Sequence, residues 1–403
     1  MANVLQNIVT RARNWFGGSI KYIDPAIASW FTFSRAKVSV NEDTADGVPP
    51  YFRAKQLIAE NIASVDCTVY RRDGSGVVEA TAHPLYRLLK FRPHPLYSSF
   101  VFWEVLIRHM LDRGEAFAYL VRGAETGRIK HLEIIDDRRP QIFQMDDGAY
   151  YFKFPNYTKP FSADDVLHFN LYSNDGVCGR GLLDLFRETL GRGIAEIQYT
   201  SAVFGNGAHP SGTLETDEIL TQEQRTLLGE GFTSQYGGID RLGRVAVLSH
   251  GLKFKPLDQK VGDGESKARL MTTKDISAML GISPEMLGLS GETGITNIGV
   301  LNRMLVQYVF RVFAKRIEDE VNSKAFAARD WGRYFIKFDL NELLRGDPAE
   351  RAKWYESMYK TQAINPNEIR ERENLNPYEG GDEYGKPMAT NIKTQPVSNE
   401  PTE

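Results

Sequence analysis

The 403-residue chain is short of several things at once. It has two cysteines, Cys67 and Cys178, far apart in sequence, so no disulfide framework is indicated and a reducing compartment is expected. No apolar run approaches the roughly 20 residues of a membrane-spanning helix. The N-terminus, MANVLQNIVTRARNWFGG, is amphipathic and lacks the continuous apolar centre of a secretory signal. The expectation is a soluble protein made in the cytoplasm of its host, with no membrane partner. Charge of one sign is missing too: the net charge is −3, so overall basicity would not hold a nucleic acid. The seven histidines are scattered, with no HExxH and no Cys–His pairing at metal spacing. Val177–Gly181 (VCGRG) precedes a helix, but no Lys-Ser/Thr follows, which excludes a P-loop. The acidic pairs Asp136–Asp137 and Asp146–Asp147 lie among strands, where adjacent carboxylates commonly mark turns. No catalytic residue, metal or cofactor is expected, and the chain is not read as an enzyme.

What is present is an ordinary globular composition, 42% hydrophobic and 25% charged, long enough for two or three domains. Residues 1–50 end in NEDTADGVPP, an acidic, turn-rich stretch that reads as a linker. A helix is expected from Tyr51 to Asp66, through Leu57, Ile58, Ile62 and Val65, then a strand at Cys67–Arg71 and a turn at Asp73–Gly76. Pro84–Lys90 reads as a short helix, and Ser98 as the N-cap of another with Phe102, Val105, Leu106, His109 and Met110 inward. AFAYLVR, LEII, QIFQM, YYFKF and VLHFN alternate as strands of a mixed α+β body. Leu182 to Phe204 repeats at helical spacing, with Gly191 and Gly193 inside it, which another helix packed closely would explain. A compact module follows: a strand near Thr213, a helix N-capped at Thr221, and a hairpin through VAVLS and LKFKPL. It lies between two helices and so reads as an insertion at the end of a two-helix stalk. YFIKFDLNELL returns as a strand, Pro348–Lys360 is a polar helix, and Asn365 caps a shorter one. From about Tyr378 the tail has too few large apolar residues to fold alone.

The chain is organised around Asp263–Ala328. DGESKARLMTTKDISAML places Lys267 and Lys274 on one helical face, with Leu270, Met271, Ala278 and Met279 forming a partly apolar face nearby. Gly281 and Pro284 end that helix. A glycine-punctuated loop follows, and a long helix starts near Asn297 with Ile298, Leu301, Leu305, Tyr308, Val312 and Phe313 along one side. Two helices flanking such a loop suit a moving or lining part better than a catalytic cleft.

Several stretches together resemble the portal proteins of tailed bacteriophages, in the branch found with HK97-type capsids. They are HPLYRLLKFRPHPLYSS with WEVLIRHMLDRGEAFAYL, FGNGAHPSGTL, GRVAVLSHGLKFKPL, DISAMLGISPEMLGL, and LLRGDPAERAKWYESMYKTQAINPNEIRERENLNPYEGGD, in the family's order over about residues 50–385. Ala363 stands where a glycine is usual, Ile298-Gly299 replace an acidic–amide pair, and a proline common in the long helix is absent.

The resemblance implies a portal fold: a mixed α/β wing (residues 51–181), stem helices (182–206 and 259–281), a small α/β clip (207–258) and a tunnel loop (282–297). A long helix with a wing return strand (298–345), a helical crown (346–378) and a disordered tail (379–403) complete it. It implies a ring of about twelve subunits at one capsid vertex, a channel for packaging and ejecting double-stranded DNA without sequence specificity. The implied partners are large terminase, major capsid protein, scaffold and head–tail adaptor. In the tunnel loop, Glu285, Ser290, Glu292, Thr293, Thr296 and Asn297 would face DNA, with Gly281, Gly288, Gly291 and Gly294 as hinges. Lys267 and Lys274 would form sparse positive rings in the stem. The alternatives are a head–tail adaptor or minor head protein, or a packaging-associated nuclease or ATPase.

Overall fold

The computed structural model describes residues 34–74, 76–145, 148–205, 212–217, 219–236, 248, 251–256, 263–289, 297–340, 343, 348–373 and 375–384. The chain divides into two compact units, Met1–Leu340 and Asn341–Glu403.

The stretch read as a linker is instead an ordered start. Asn41 and Thr44 close a reciprocal capping box, each side chain accepting from the other's backbone N–H at 2.9 Å, and start helix α1 (Glu42–Asp46). Buried Ala45 and Val48 lead into α2 (Pro49–Ser64), whose Tyr51, Ala54, Ile58, Ala59 and Ile62 face the core. Strands β1 (Cys67–Asp73) and β2 (Gly76–Glu79) form the expected hairpin, followed by α3 (Pro84–Lys90) and α4 (Ser99–Arg113). Ser98 caps α4, and Phe102, Leu106 and Met110 are buried; Val105 and His109 are half-buried, and Trp103 and Ile107 complete the inward face.

Strands β3 (Glu115–Arg122), β4 (Ile129–Ile135), β5 (Gln141–Gln144), β6 (Tyr150–Lys153), β7 (Phe161–Ser162) and β8 (Val166–Asn170) build two three-stranded antiparallel sheets, β4-β3-β8 and β5-β6-β7. Phe117, Ile135, Phe152, Phe154 and Val166 form the core between them. Helices α5 (Leu182–Leu185) and α6 (Arg187–Gly205) are separated by a break at Phe186. In the inserted module β9 (Gly212–Glu215) precedes α7 (Gln222–Tyr236), whose Thr221 and Gln224 cap each other. Strand β10 (Lys253–Pro256) pairs with β9, while the other arm of the expected hairpin falls mainly outside the described residues.

Helix α8 (Asp263–Leu280) leads to a 3-10 turn at Pro284–Leu287. Then α9 (Ile298–Leu305), a π turn at Val306–Phe310 and α10 (Arg311–Lys324) run as one helix. Strand β11 (Tyr334–Phe338) joins β1, giving the order β11-β1-β2. In the second unit, α11 (Pro348–Lys360) precedes α12 (Pro366–Arg372), which starts on the Asn365–Glu368 capping box. The start of the expected disordered tail is folded onto α12: Asn367 Nδ2 donates to Tyr378 O and Asp382 Oδ1.

Two features hold the first unit together. In the first, α10 lies along two sheet edges. Arg316 and Lys324 donate to the carbonyls of Asn170 and Val166, and Glu320 accepts from the His168 N–H, all on edge strand β8. Two residues away in register, Glu318 and Asn322 accept from the Phe338 and Ile336 N–H groups of edge strand β11. Side chains four residues apart thus replace missing neighbour strands on both sides, which blunts edges that would otherwise invite pairing.

The second feature is a buried ionic knot. Lys55, 1% exposed, is held by Asp46 and by Asp112 at 2.8 Å, and Tyr51 Oη donates to Asp112 at 2.6 Å. Burial pushes the Asp112 carboxyl up, against Lys55, which draws it down. Nearby, Arg113 pairs with Glu42 and Asp136, both at 2.8 Å. Burial, then the Arg113 charge, hold His109 down at about 4.

A free histidine titrates near 6.5, so as pH falls the unfolded chain takes up the proton first. The His109 contribution is complete above that value and is lost by up to about 1.4 kcal/mol per pH unit toward the folded value. Arg113 hydrogen-bonds Asp136 and lowers its carboxyl; it lowers that of Glu42 too, against the burial that raises it. Those two contributions are present above the ordinary carboxylate values of 3.8 and 4.5 and fade below them. Urea unfolding at steps from pH 7 to 4 should show the histidine slope, and His109→Gln should flatten it above pH 4.5; an unchanged slope would assign the loss to other groups.

Candidate functional site

Helices α6 and α8, expected to pair as a stalk, pack against each other. Gly193 allows their approach, because a Cβ there would lie 3.2 Å from both Thr272 Cγ2 and Val48 Cγ1. Gly191 meets the segment before α1 rather than a helix: its Cβ would be 2.3 Å from that of Ser34. Across the stalk Thr272 Oγ1 donates to Glu196 at 3.0 Å and accepts from Arg192 Nε at 3.2 Å, and Arg192 also pairs with Asp275.

This close approach corrects the expected apolar face of α8. Its buried side is built from Thr272, Thr273, Ile276, Ser277, Met279 and Leu280, whereas Met271 is 60% exposed, Ala278 is exposed and Leu270 is half-buried. Small hydroxyl side chains fit where the neighbouring backbone is near; long apolar ones do not. Lys267 and Lys274 are both exposed, and with Met271 and Ala278 between and beyond them they mark one outward stripe. The expected shared face is therefore present.

At the end of α8, Gly281 adopts φ +68°, and Ser277 binds back to Ile282, whose N–H reaches Ser277 O at 3.1 Å. The segment read as a glycine-punctuated loop contains the Pro284–Leu287 turn, closed by Gly288 at φ +95°. Glu285 lies in that turn and contacts Ser283. Asn297 caps α9, accepting from Gly299 N–H at 2.9 Å and Val300 N–H at 3.4 Å. Both ends of the loop are thus fixed by local hydrogen bonds. Ser290, Gly291, Glu292, Thr293, Gly294 and Thr296 lie outside the described residues.

Beyond the loop the inward face differs from the expected one. Leu301, Leu305 and Phe313 are buried as expected, but Tyr308 and Val312 are 65% and 45% exposed. The buried series is Leu301, Leu305, Val309, Phe313, Ile317 and Val321 at unbroken four-residue steps. A regular α-helix turns about 40° past a full circle over four residues and needs interposed three-residue steps. The π turn takes up part of that drift, so the core seam continues and Tyr308 and Val312 rotate outward. With Val300 and Met304 they form an exposed apolar ridge.

The glycines of VCGRG serve packing. A Cβ on Gly179 would lie 1.9 Å from Gly114 O, and one on Gly181 2.1 Å from Asp112 O. Backbone passes directly over the α4–β3 junction, where Gly114 itself has φ +85°. Asp137 is likewise structural, accepting from the N–H groups of Arg138 and Asn156. Asp146–Asp147 lie outside the described residues. Sequence reasoning misses Arg316, Glu318, Glu320, Asn322 and Lys324, whose alternating charges read as a solvated helix face.

The family model described as phage portal protein matches residues 49–374. The portal protein of Enterobacteria phage HK97 is 23% identical over 350 residues, covering 85% of this chain and 82% of the relative. A probable portal protein of Streptomyces phage phiC31 is 24% identical over 388 residues, covering 91% and 83%. Among solved structures, an HK97-family phage portal protein from Corynebacterium diphtheriae aligns with a TM-score of 0.59 at 16% identity, covering 77% of this chain and all of that one. A chain from the neck of a native gene transfer agent particle, computed with C12 symmetry, aligns with a TM-score of 0.56 at 20% identity, covering 87% and 99%.

Proposed function

The chain belongs to the phage portal protein family, and from that premise we propose that its copies close into a ring at a unique capsid vertex. The ring has about twelve subunits, by analogy with the C12 neck structure. Its bore is the channel for DNA packaging and ejection, and its rim is the docking platform for terminase and head–tail connector proteins. Residues 51–181 serve as wing, α6 and α8 as stem, 207–258 as clip, 282–297 as tunnel loop and 346–378 as crown. The clip meets terminase and later the head–tail adaptor, the wing meets the major capsid protein and scaffold, and the crown meets packaged DNA.

One observation carries this reading: two closely packed helices hold an inserted module at one end and enter, through Gly281, a loop anchored at both ends. A translocating duplex must be contacted without being held. Lys267, Arg269 and Lys274 are the three cationic positions of α8, of which the two lysines share one face, and each contacted phosphate adds affinity through counterion release. The loop carries no Lys or Arg between residues 282 and 297, so it constricts without gripping. Gly281, Gly288, Gly291 and Gly294 are its hinges, and Glu285, Ser290, Glu292, Thr293, Thr296 and Asn297 its lining.

Microscopy of the purified full chain tests assembly: rings with a central hole are expected, and compact monomers at all concentrations would count against the reading. Reversing both charges with K267E and K274E should lower DNA-filled particles by at least about tenfold while leaving ring assembly intact, because the ring repeats each substitution in every subunit. Normal DNA content in the double variant would remove the two lysines from the channel.

A further inference from the structure

Away from the stalk, α3 and β4 enclose a groove of about 500 Å3, within the range of about 300–1,000 Å3 typical of ligand sites. Its apolar lining comes from Leu88, Phe91 and Ile129, and its charged lining from Arg87, Arg92 and Lys130. Among the described residues no carboxylate lines it. Arg92 donates to Pro95 O, while Arg87 and Lys130, both exposed, have no ion-pair partner among the described residues. Phe91 is 58% exposed and touches Tyr86 edge-on. The groove keeps its shape because Leu132 N–H donates to Pro93 O at 2.9 Å, which ties the turn after α3 to β4.

A concave apolar floor with a three-cation rim, in a chain of net charge −3, is selective by both shape and sign. We propose that this groove docks a short acidic, apolar-anchored segment of a partner protein. One or two aliphatic or aromatic side chains enter over Leu88, Phe91 and Ile129, and carboxylates meet Arg87 and Lys130. Charges at such a rim set orientation and association rate, and the buried anchor supplies most of the affinity. A single-stranded nucleic acid fits less well, since a binding groove for it uses successive aromatic platforms along a basic track, and here Phe91 is the one aromatic in the lining.

The test uses the full chain and a short fluorescein-labelled peptide carrying glutamates and leucines at helical spacing, read by fluorescence anisotropy at low salt. Saturable binding is expected, with no binding of the same peptide carrying lysines for glutamates. The R87E/K130E double variant, with an unchanged melting temperature, should bind at least about tenfold more weakly, as loss of two complementary charges implies. Phe91→Ser should weaken binding independently of salt. Equal affinity of wild type and double variant would overturn the proposal. So would a single-stranded oligonucleotide that displaces the peptide and binds more tightly, or a change in assembly state of the double variant, which would make the groove a contact between copies. Rings are scored separately by microscopy, so failure of either result leaves the other readable.

Discussion

Replacing Lys55 with methionine is expected to destabilise the first unit by about 3–5 kcal/mol, because it leaves a carboxylate buried and uncompensated. Asp112 would keep only the Tyr51 hydroxyl as a side-chain partner, and Asp46 would lose its tie between α1 and α2. Burial already pushes the Asp112 carboxyl up, and without the ammonium it would rise further. The K55M variant should therefore gain stability relative to the parent as pH falls, opposite in sign to the His109 effect in the parent. K55M/D112L should recover much of the loss, since removing both charges replaces the knot with apolar contact. Chemical denaturation of the single and double variants measures this, and a loss below about 1 kcal/mol in K55M would mean that water reaches the pair.

Gly181→Ala is expected to cost about 4 kcal/mol or more, at the upper end for a single substitution. The added methyl would lie 2.1 Å from the Asp112 carbonyl and 2.5 Å from the Arg113 carbonyl carbon. Both are backbone atoms at the end of a helix whose inner face is fully buried, so no rotamer change relieves the clash. Gly74→Ala is the control: a Cβ there would have nothing within 4 Å, and the substitution should be nearly neutral. A melting temperature for G181A within a few degrees of the parent would show that the backbone crossing the end of α4 gives way easily.

Much of this fold is legible in the sequence, for identifiable reasons. Pro84–Lys90, Ser98 and Asn365 are readable because prolines and capping side chains act locally. The stalk is readable because two glycines inside a helix ask for a close neighbour, which Gly193 has. What misleads depends on partners distant in sequence. Residues 41–50 carry turn-like composition, yet Ala45 and Val48 are buried and Asp46 is consumed by Lys55. Apolarity alone points Met271 inward, whereas the α6 backbone leaves room there for threonine and serine. Tyr308 and Val312 face inward only if a regular helix is extended through a π turn that has no sequence mark. In the candidate site, the common face of Lys267 and Lys274 follows from their spacing, while the Pro284–Leu287 turn around Glu285 does not.

The five bonds from α10 to the strand edges of β8 and β11 have a mechanical consequence. They join α10 to strands lying alongside it, so an axial pull on the helix loads them together rather than one after another. α9 lies beyond the π turn and outside the span held by these bonds. A load carried along α10 is thus passed to the edge strands of two sheets rather than to one.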